Sequence, residues 1–534
     1  MVLSAGKMEG MKMKKIAIVI AALAAVVSCQ KAETVYTGET VQLSFRVSRE
    51  AQASNTKAVL SGTSVVFEDD DKLSVFDGTS NNLFQTTKGG DEALFTGTAA
   101  DVAAYLVVSP YNDSYVQMSA SVLKYTIPEV QTATPGGVDP KALICAGLAT
   151  PGSPVTLYNA ISLVQVEVPA GLEVKNIQIA GGKGQTIAIA GEFSFNADTK
   201  AIAIPDVSKT TTVVTLVPKE GDAYIAPGTY YVAVRPKTTY DAGFTMAYVN
   251  ASNQLCKRTT ATALDIQRGH IVPLGTLNTS DYAAVTGTAT LRYYGDAPQF
   301  TGRIKVLAGG SGTATATDNV IRKVVFKAHS LYSQAYKTDA NLVSNGPAST
   351  VQIHAYLSGD VIYVCTEAPV ITLYNASNNL FRDFAALEEV EANDIDSQAS
   401  ANFEYMFRND AKLKKVDFGN ADFSKVTNFS YMFYVGASSS LEYVDMGGTA
   451  TTSATTMQAM FNNDQKLKYL NLGPNFTLAA THTNMFLDTA RQTSIDAAGD
   501  DAKKCQLYAS QAFYDDVRAN EVTFNPARFL FHAQ

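Results

Sequence analysis

Polar side chains recur in two sets in the C-terminal third of the chain, each at a fixed distance after a repeated leucine. The second residue after the leucine gives one set and the fourth gives the other: Glu389, Lys415, Tyr443 and Tyr469, then Glu391, Asp417, Asp445 and Asn471. If these residues lie on neighbouring strands about 4.8 Å apart, each set forms a column across a sheet. Two tyrosines in register beside a lysine could stack on a sugar ring or a peptide side chain. The candidate ligand face therefore comprises Lys415, Asp417, Tyr443, Asp445, Tyr469 and Asn471.

The acidic column raises an electrostatic question, because like charges on adjacent strands normally destabilise a sheet. Hydration, backbone hydrogen bonds or a cation such as Ca²⁺ would relieve the repulsion between Asp417 and Asp445. Three interpretations stay open: a solvated sheet surface, a ligand surface, and a metal site. The sequence assigns no residue as a metal ligand and predicts no cofactor.

Catalytic chemistry finds little support in the sequence. The histidines are scattered, and none has a spacing typical of a nucleophile–base pair or a metal site; they are His270, His329, His354, His482 and His532. The acidic run Asp69-Asp70-Asp71 lacks the glycine and glutamate of a calcium-binding loop. We therefore expect a protein that is not an enzyme.

The leucines belong to an internal repeat that must position these side chains. Met-Phe recurs at intervals of 26, 28 and 25 residues, beginning at Met406, Met432, Met460 and Met485. A leucine follows in phase and begins the pattern L-x-x-Φ-x-Φ, in which Φ is apolar or small; these leucines are Leu387, Leu413, Leu441 and Leu467. The period lies in the range of leucine-rich repeats.

Each half of the repeat predicts a structure. Phe429, Met432 and Phe433 have the spacing of one face of a helical turn, and the leucine pattern supplies a short strand. One unit cannot bury its own apolar face, so the units must stack. We therefore predict a leucine-rich-repeat-type solenoid with short helical turns over residues 351–534, in which Met-Phe forms the core.

This segment resembles the BspA-type leucine-rich-repeat family of bacterial surface proteins. VDFGNADFSKVTNFSYMF at 416–433 is close to that family's repeat phrase, and VIYVCTEAPVITLYNASNNLF at 361–381 looks like the strands that usually precede it. The resemblance implies a protein of the cell surface, described in that family mostly as an adhesin or host-contact protein.

The region before the repeats reads as short strands separated by turn residues, without a helical period. Val164–Val168 alternates strictly between apolar and polar residues, as expected for a half-buried antiparallel strand. SVVFEDDDKLSVFDG at 64–78, APGTYYVAVRP at 226–236 and IQRGHIVPLGTLN at 266–278 resemble segments of fimbrillin-family proteins. That resemblance implies a mainly β fold with two tandem transthyretin-like β-sandwiches, over residues 29–152 and 153–279. Residues 280–350 are expected to form a connector with some β-structure.

The fimbrillin resemblance also implies possible processing. In polymerising members a protease cuts after a basic residue near the N-terminus, and the vacated groove accepts a strand from the next subunit. Arg46, Arg49 and Lys57 are the candidate positions here, although basic residues are common before strands. The chain continues far beyond the resemblance, and this departure argues against a repeating stalk subunit.

The N-terminus carries an export signal. A basic stretch at 11–15 precedes twelve apolar residues, Ile16 to Val27, a run too short to span a bilayer. Ser28-Cys29 then resembles a bacterial lipobox, in which the cysteine thiol is acylated. The alternative is an ordinary secretory signal with an incidental cysteine. We expect a signal peptide at 1–28 and lipidation of Cys29.

Composition limits the remaining partners. Charged residues make up 17% of the chain and the net charge is −8 without a basic cluster, so we expect no nucleic acid. The other cysteines are far apart in sequence, and buried free thiols are expected rather than disulfides; they are Cys145, Cys256, Cys365 and Cys505.

The features together predict an outer-membrane lipoprotein at the cell surface or in a fimbrium. It would be an adhesin or a pilus-associated, tip-like protein that presents the repeats. A pilus anchor or assembly subunit retained at the outer membrane is the alternative. Expected partners are the membrane through the lipid, other pilus subunits, and a host protein or glycan.

Overall fold

The computed structural model describes residues 38–50, 53–54, 66–182, 186–240, 243–260, 262–292, 299–313, 315–317, 319–436 and 439–534. The predicted signal peptide and Cys29 lie outside these ranges. The described chain is mainly β. Within it, no helix is both long enough and apolar enough to cross a membrane.

The first strands along the chain are β1 (Thr40–Arg49), β2 (Ala53–Ser54), β3 (Lys72–Phe76), β4 (Asn81–Thr86), β5 (Glu92–Ala100), β6 (Tyr105–Ser109), β7 (Val116–Ser119), β8 (Val122–Ile127), β9 (Val130–Thr132), β10 (Cys145–Ala149) and β11 (Val155–Asn159). The next are β12 (Ser162–Val168), β13 (Val174–Gly181), β14 (Ala190–Asn196), β15 (Ile202–Ala203), β16 (Thr210–Thr211), β17 (Val213–Val217), β18 (Gly228–Val234), β19 (Lys237–Tyr240), β20 (Phe244–Asn250), β21 (Leu255–Thr259), β22 (Leu264–Ile266), β23 (His270–Thr276) and β24 (Ala283–Ala284).

The remaining strands are β25 (Lys323–Lys327), β26 (Ile353–Ser358), β27 (Val361–Thr366), β28 (Ile371–Leu373), β29 (Glu389–Glu391), β30 (Ile395–Ser397), β31 (Ala401–Asn402), β32 (Lys415–Asp417), β33 (Val426–Asn428), β34 (Tyr443–Asp445), β35 (Tyr469–Gly473), β36 (Cys505–Ala509) and β37 (Phe529–Ala533). The α-helices are α1 (Phe300–Leu307), α2 (Arg491–Asp496) and α3 (Gln511–Asn520). Single 3₁₀ turns lie at Pro140–Ala142, Val207–Lys209, Gln334–Tyr336, Asp501–Lys503 and Pro526–Arg528.

The first sheet closes on itself as a barrel of seven strands in the order β1-β11-β10-β6-β3-β4-β5. Strand β6 is buried on both faces, which explains its uninterrupted apolar sequence. Tyr105 and Val107 face the core of the barrel, whereas Leu106 and Val108 pack into the core of the following sheets. The barrel and the next layer are therefore joined through one shared strand.

Strand pairing crosses the predicted division at residues 152 and 153. Strand β8 pairs with β14 and strand β9 pairs with β17, so residues on both sides of the division share sheets. The alternating side chains Leu123, Tyr125 and Ile127 of β8 are buried in the second core, and this burial accounts for the pairing. The described pairings do not confirm two separate sandwiches.

The repeat segment forms a sheet of nine strands in the order β26-β27-β25-β29-β32-β34-β35-β36-β37. Only the β26–β27 pair is antiparallel; the other pairs in this sheet are parallel, as a stack of repeated units requires. Strand β25 comes from the predicted connector at 280–350 and lies between β27 and β29. The structure therefore places this connector inside the stack. Assignment of the stack to the leucine-rich-repeat class stays a prediction.

Helix α1 covers the core at the start of the stack. Phe300 and Ile304 are fully buried there, and the Phe300 ring meets Phe381 edge-on with 6.1 Å between centroids. The Thr301 hydroxyl donates to the carbonyl of Leu380 at 2.7 Å. The Lys305 ammonium is also buried and donates to the carbonyls of residues 382 and 383 at 3.0 and 3.1 Å. The helix thus shields the first rung, that is, the first repeat unit of the stack, from water.

The Met-Phe residues form the core of the stack, which confirms the prediction. All four methionines are fully buried. The phenylalanine rings stack one per rung, with neighbouring centroids 5.2, 5.6, 5.2 and 5.5 Å apart, along the row Phe381, Phe407, Phe433, Phe461 and Phe486. Ring stacking of this kind adds to the free energy of burial.

The predicted short helical turns at Met-Phe are wrong, because these segments are β-turns. The amide of Met406 donates to the carbonyl of Phe403 at 3.2 Å, and Tyr405 between them has φ of 54°. The Phe407 amide does not donate to a carbonyl of the preceding turn, as it would in a helix. It donates instead to the carbonyl of Met432 in the next rung at 3.2 Å. Hydrogen bonding between rungs takes the donors that a helix would need.

Two buried aspartates occupy the same position in different rungs, three residues before the leucine. Asp410 and Asp464 are completely buried. One Asp410 oxygen accepts the amide of Phe384 at 2.7 Å, and one Asp464 oxygen accepts the Ser439 hydroxyl at 3.0 Å. Burial raises the pKa of both carboxyls well above the ordinary value. Each carboxyl therefore joins adjacent rungs at a position where burial favours the protonated form.

The raised pKa of Asp410 predicts a loss of stability with rising pH. The unfolded chain ionises at the ordinary pKa of about 3.9. Above that pH, ionisation of the aspartate stabilises the unfolded state. Burial opposes the same ionisation in the folded state, so the free energy of unfolding falls. Asp410→Asn removes this dependence. At pH 4.5 we expect the variant to be about 1 kcal/mol less stable than the unmodified chain, because amide hydrogens are left without acceptors. At pH 8 the difference shrinks or reverses.

Urea unfolding at the two pH values measures the effect, and Asp515→Asn on the exposed side of α3 is the matched control. A stability difference between the Asp410→Asn variant and the unmodified chain that stays constant with pH would contradict the raised pKa of Asp410.

The second layer of the molecule consists of the sheets β18-β12-β23-β2, β24-β21-β20-β13-β17-β9 and β15-β14-β8-β7. This layer docks onto the stack through a polar clamp. Glu367 of the stack is 8% exposed and is held by two ammonium groups, Lys337 at 2.8 Å and Lys257 of β21. Burial alone would raise the pKa of Glu367, but the two lysines outweigh burial and hold it below the ordinary value. Nearby, the Gln178 amide donates to the carbonyl of His329 at 2.9 Å and accepts the Leu331 amide at 2.7 Å.

The four described cysteines are buried and free, as predicted: Cys145, Cys256, Cys365 and Cys505. Burial raises the pKa of each thiol. They behave as small apolar core residues.

Candidate ligand face

The repeated strands hold the candidate residues in register. Each strand centre is buried, as at Val390, Val416, Val444 and Leu470, so the residues on either side point away from the core. Lys415 pairs with Tyr443, and Tyr443 pairs with Tyr469. Likewise Asp417 lies opposite Asp445, which lies opposite Asn471. The two columns expected from the sequence therefore lie side by side on one sheet surface.

The first column combines a charged cluster with an aromatic pair. The Lys415 ammonium lies 3.2 Å from Glu389 and 3.3 Å from Asp417, and Lys323 lies 3.1 Å from Glu389. The rings of Tyr443 and Tyr469 stack with centroids 4.4 Å apart and planes 3° from parallel. Parallel, in-register strands enforce this stacking, because equivalent side chains repeat at the strand spacing.

The acidic column is compensated by hydrogen bonds. The amide of Asn471 donates to both oxygens of Asp445 at 3.1 Å. Asp445 also accepts the backbone amide of Gly447 at 2.8 Å, and Asp417 accepts that of Gly419 at 3.0 Å. These donors and the Lys415 ammonium relieve the repulsion. Among the residues that the structure describes, no cluster of three or more His, Cys, Asp or Glu side chains could hold a metal ion.

The charged neighbours fix the ionisation states of the face. Burial opposes the charged form of Lys415, but its contacts with Glu389 and Asp417 prevail and raise its pKa. Burial and the carboxylates of Asp445 and Asp417 raise the pKa of Tyr443. Burial and Asp445 likewise raise the pKa of Tyr469. At neutral pH the face therefore offers an ammonium group and uncharged phenols as donors.

Two aromatic residues that sequence reasoning missed extend this face. Tyr508 lies opposite Asn471, with its ring centroid 5.2 Å from that of Tyr469. His532 lies opposite Tyr508, and the two rings stack with centroids 4.4 Å apart. The stretch of chain between β35 and β36 is longer than the Met-Phe period, so Tyr508 and His532 fall outside the repeat pattern of the sequence. Alternation in CQLYA at 505–509 and FLFHA at 529–533 is the signal that could have found both.

The candidate processing residues Arg46 and Arg49 lie within β1, whereas Lys57 lies outside the described residues. This strand pairs with β5 along Thr40–Ser48 and with β11 along Val47–Arg49. The Arg46 side chain is 65% exposed and lies 3.7 Å from Glu92. The Arg49 guanidinium is mostly buried, donates to the Ser109 hydroxyl at 2.9 Å and lies 4.4 Å from the centre of the Phe67 ring. Cleavage at either residue stays a prediction, and it would require β1 to leave the barrel.

No family model matches the chain, and a search of curated proteins finds no match. Among solved structures, a candidate cell adhesion protein of Bacteroides uniformis is 11% identical with a TM-score of 0.30, over 46% of this chain and 95% of that one. A candidate cell adhesion protein of Bacteroides ovatus is 12% identical with a TM-score of 0.29, over 47% and 96%. A fimbrial assembly protein of Parabacteroides distasonis is 11% identical with a TM-score of 0.22, over 46% and 93%.

Proposed function

We propose that this chain is a lipid-anchored cell-surface adhesin, or a pilus-associated protein of the tip type, that presents its repeat stack to a partner. Cys29 would carry the lipid, and the fimbrillin-like region would join the stack to the cell envelope or to other pilus subunits. The protein would act by binding and not by catalysis. The observation that supports the proposal is the row of aromatic side chains on the outer surface of the stack: Tyr443, Tyr469, Tyr508 and His532.

The row has the chemistry of a recognition surface. These side chains are only half-buried, so part of each ring remains available to a partner. Stacking and in-register pairing hold the rings in place, which lowers the conformational entropy lost on binding. Lys415 and Asp417 lie beside the first tyrosine and supply a donor and an acceptor. A host glycan or a peptide with aromatic or basic side chains would fit such a surface.

Removal of the tyrosine pair tests the proposal. We expect the Tyr443→Ala/Tyr469→Ala variant to bind host matrix proteins or immobilised glycans about 30-fold more weakly, the effect of losing an aromatic hot spot worth about 2 kcal/mol. The matched control is Tyr405→Ala/Tyr431→Ala, which removes a tyrosine pair stacked at 4.7 Å in the β-turns. Binding is measured by surface plasmon resonance after circular dichroism has confirmed folding. Equal binding by the two variants would rule out this face.

Protease treatment of intact cells separates the adhesin from the anchor subunit. Cleavage of the stack on intact cells is expected for an adhesin, whereas protection until lysis indicates a subunit facing the periplasm. Incorporation of labelled palmitate into the chain, and its loss in Cys29→Ala, tests the lipid anchor independently.

A further inference from the structure

A cleft of about 470 Å³ separates the second layer from the beginning of the stack. Its volume lies in the range of small-molecule sites, which is about 300–1,000 Å³. The wall on the stack side carries Lys327, Tyr336, Tyr356 and Tyr363. The opposite wall carries short hydroxyl side chains and two charged ones, Glu129, Ser208, Thr210, Thr212, Thr215 and Arg235.

The tyrosines of the stack wall form an ordered row of rings. Tyr336 stacks on Tyr356 with centroids 4.0 Å apart and planes 4° from parallel, and Tyr356 stacks on Tyr363 at 5.3 Å. The Lys327 ammonium lies 4.5 Å from the centre of the Tyr363 ring, so a cation covers that end of the row. Tyr336 forms the other end, and among the described ring and cation contacts none covers its second face.

The wall facing the tyrosines carries side chains that can form hydrogen bonds. Within the described residues, two polar atoms of this wall, Thr212 Oγ1 and Arg235 Nε, have no hydrogen-bond partner and are closed off from solvent. The cleft thus places an aromatic surface opposite a set of hydroxyl groups and a guanidinium group.

We infer that this cleft is a binding site for a short saccharide of one or two rings, which stacks on the face of Tyr336 opposite Tyr356. A sugar ring has an apolar C–H face that packs on an aromatic ring, and its hydroxyls both donate and accept hydrogen bonds. The threonine and serine hydroxyls, Glu129 and Arg235 match these groups in kind. Burial and the Glu129 charge raise the pKa of Tyr336, so its phenol stays uncharged at neutral pH.

The cleft is separate from the candidate ligand face, although both belong to one sheet. Tyr356 and Tyr363 lie opposite each other at the β26–β27 end, and Tyr363 lies opposite Val325 of β25. Val325 lies opposite Glu391, where the acidic column begins. Along the sheet, Lys323, Glu389 and Lys415 lie between the β26–β27 end and Tyr443. The inference therefore does not depend on the proposed adhesin function.

Saturation-transfer difference NMR on the full chain in mild detergent tests the site. The probes are N-acetylglucosamine, galactose, lactose, maltose and glucuronic acid, each at millimolar concentration. We expect at least one probe to receive saturation on its ring C–H protons. Tyr336→Ala should weaken its affinity about tenfold, since one stacking contact is lost, whereas Tyr336→Phe should retain it.

A second variant keeps the test decisive if Tyr336→Ala fails to fold. Val207 lies at the cleft and is 75% exposed, so Val207→Trp adds bulk there without disturbing a core. We expect Val207→Trp to abolish saturation transfer at an unchanged melting temperature. The Tyr443→Ala/Tyr469→Ala variant should bind the probe sugars normally. Absence of transfer to every probe, or transfer unaffected by Val207→Trp, would overturn the inference.

Discussion

Phe433→Ala is expected to lower the free energy of unfolding by about 3–5 kcal/mol, the range for truncating a buried aromatic side chain. Phe433 is completely buried, and its ring stacks on Phe407 at 5.6 Å and on Phe461 at 5.2 Å. The substitution opens a cavity in the middle of the phenylalanine row and removes both ring contacts. Because each rung buries its apolar face only against its neighbours, the damage extends to both sides.

Urea unfolding followed by circular dichroism measures this loss, and Phe433→Leu is the matched control. Leucine fills most of the space and should cost less than about 1.5 kcal/mol, as volume-conserving core substitutions do. A similar cost for the two variants, or a cost of Phe433→Ala below that of Phe433→Leu, would show that the row is not the continuous core described here.

Glu367→Ala is expected to lower the free energy of unfolding by about 3 kcal/mol, the second large effect. Breaking a buried ion pair costs this much because the remaining charges lose their partner. Here two ammonium groups, Lys257 and Lys337, would be left close together between the second layer and the stack. The substitution should therefore weaken the docking of these parts as well as their stability. Limited proteolysis between the second layer and the stack should become faster.

The pH dependence of this clamp has a defined sign. The lysines hold the pKa of Glu367 below its ordinary value, so the clamp contributes fully above the unfolded pKa of about 4.3. Its contribution is lost as pH falls through the lower folded-state pKa. Glu442→Ala is the matched control, because the Glu442–Lys468 pair is exposed and should contribute less than about 1 kcal/mol. Equal effects of the two alanine variants at pH 7 would contradict the clamp.

The sequence predicted the features of this molecule that depend on local periodicity. Two signals in phase, Met-Phe and the leucine pattern, determine which side chains point inward, so the buried core and the pairing of Tyr443 with Tyr469 could be predicted. The hydrogen bonds between rungs could not be predicted from this periodicity. The β-turn at Phe403–Met406 and a helical turn have the same apolar spacing, and only the neighbouring rung decides between them.

Long-range pairing was the part that sequence reasoning could not supply. Strand β25 enters the sheet between β27 and β29 although it comes from the predicted connector, and its few alternating residues do not specify a partner. The same holds for β1, which closes the barrel by pairing with both β5 and β11. The cleft beside Tyr336 depends on two parts of the chain meeting in space, which no single segment encodes.

The register of the nine-stranded sheet also tolerates loops of different length between its strands. Equivalent positions lie side by side although very different lengths of chain separate them, as in the series Lys323, Glu389, Lys415, Tyr443, Tyr469, Gln506 and Leu530. Differences in the length of chain between strands are therefore accommodated in the connecting loops, and the strands stay in register. Outward side chains and loop lengths can therefore differ from rung to rung while the buried positions keep the same core.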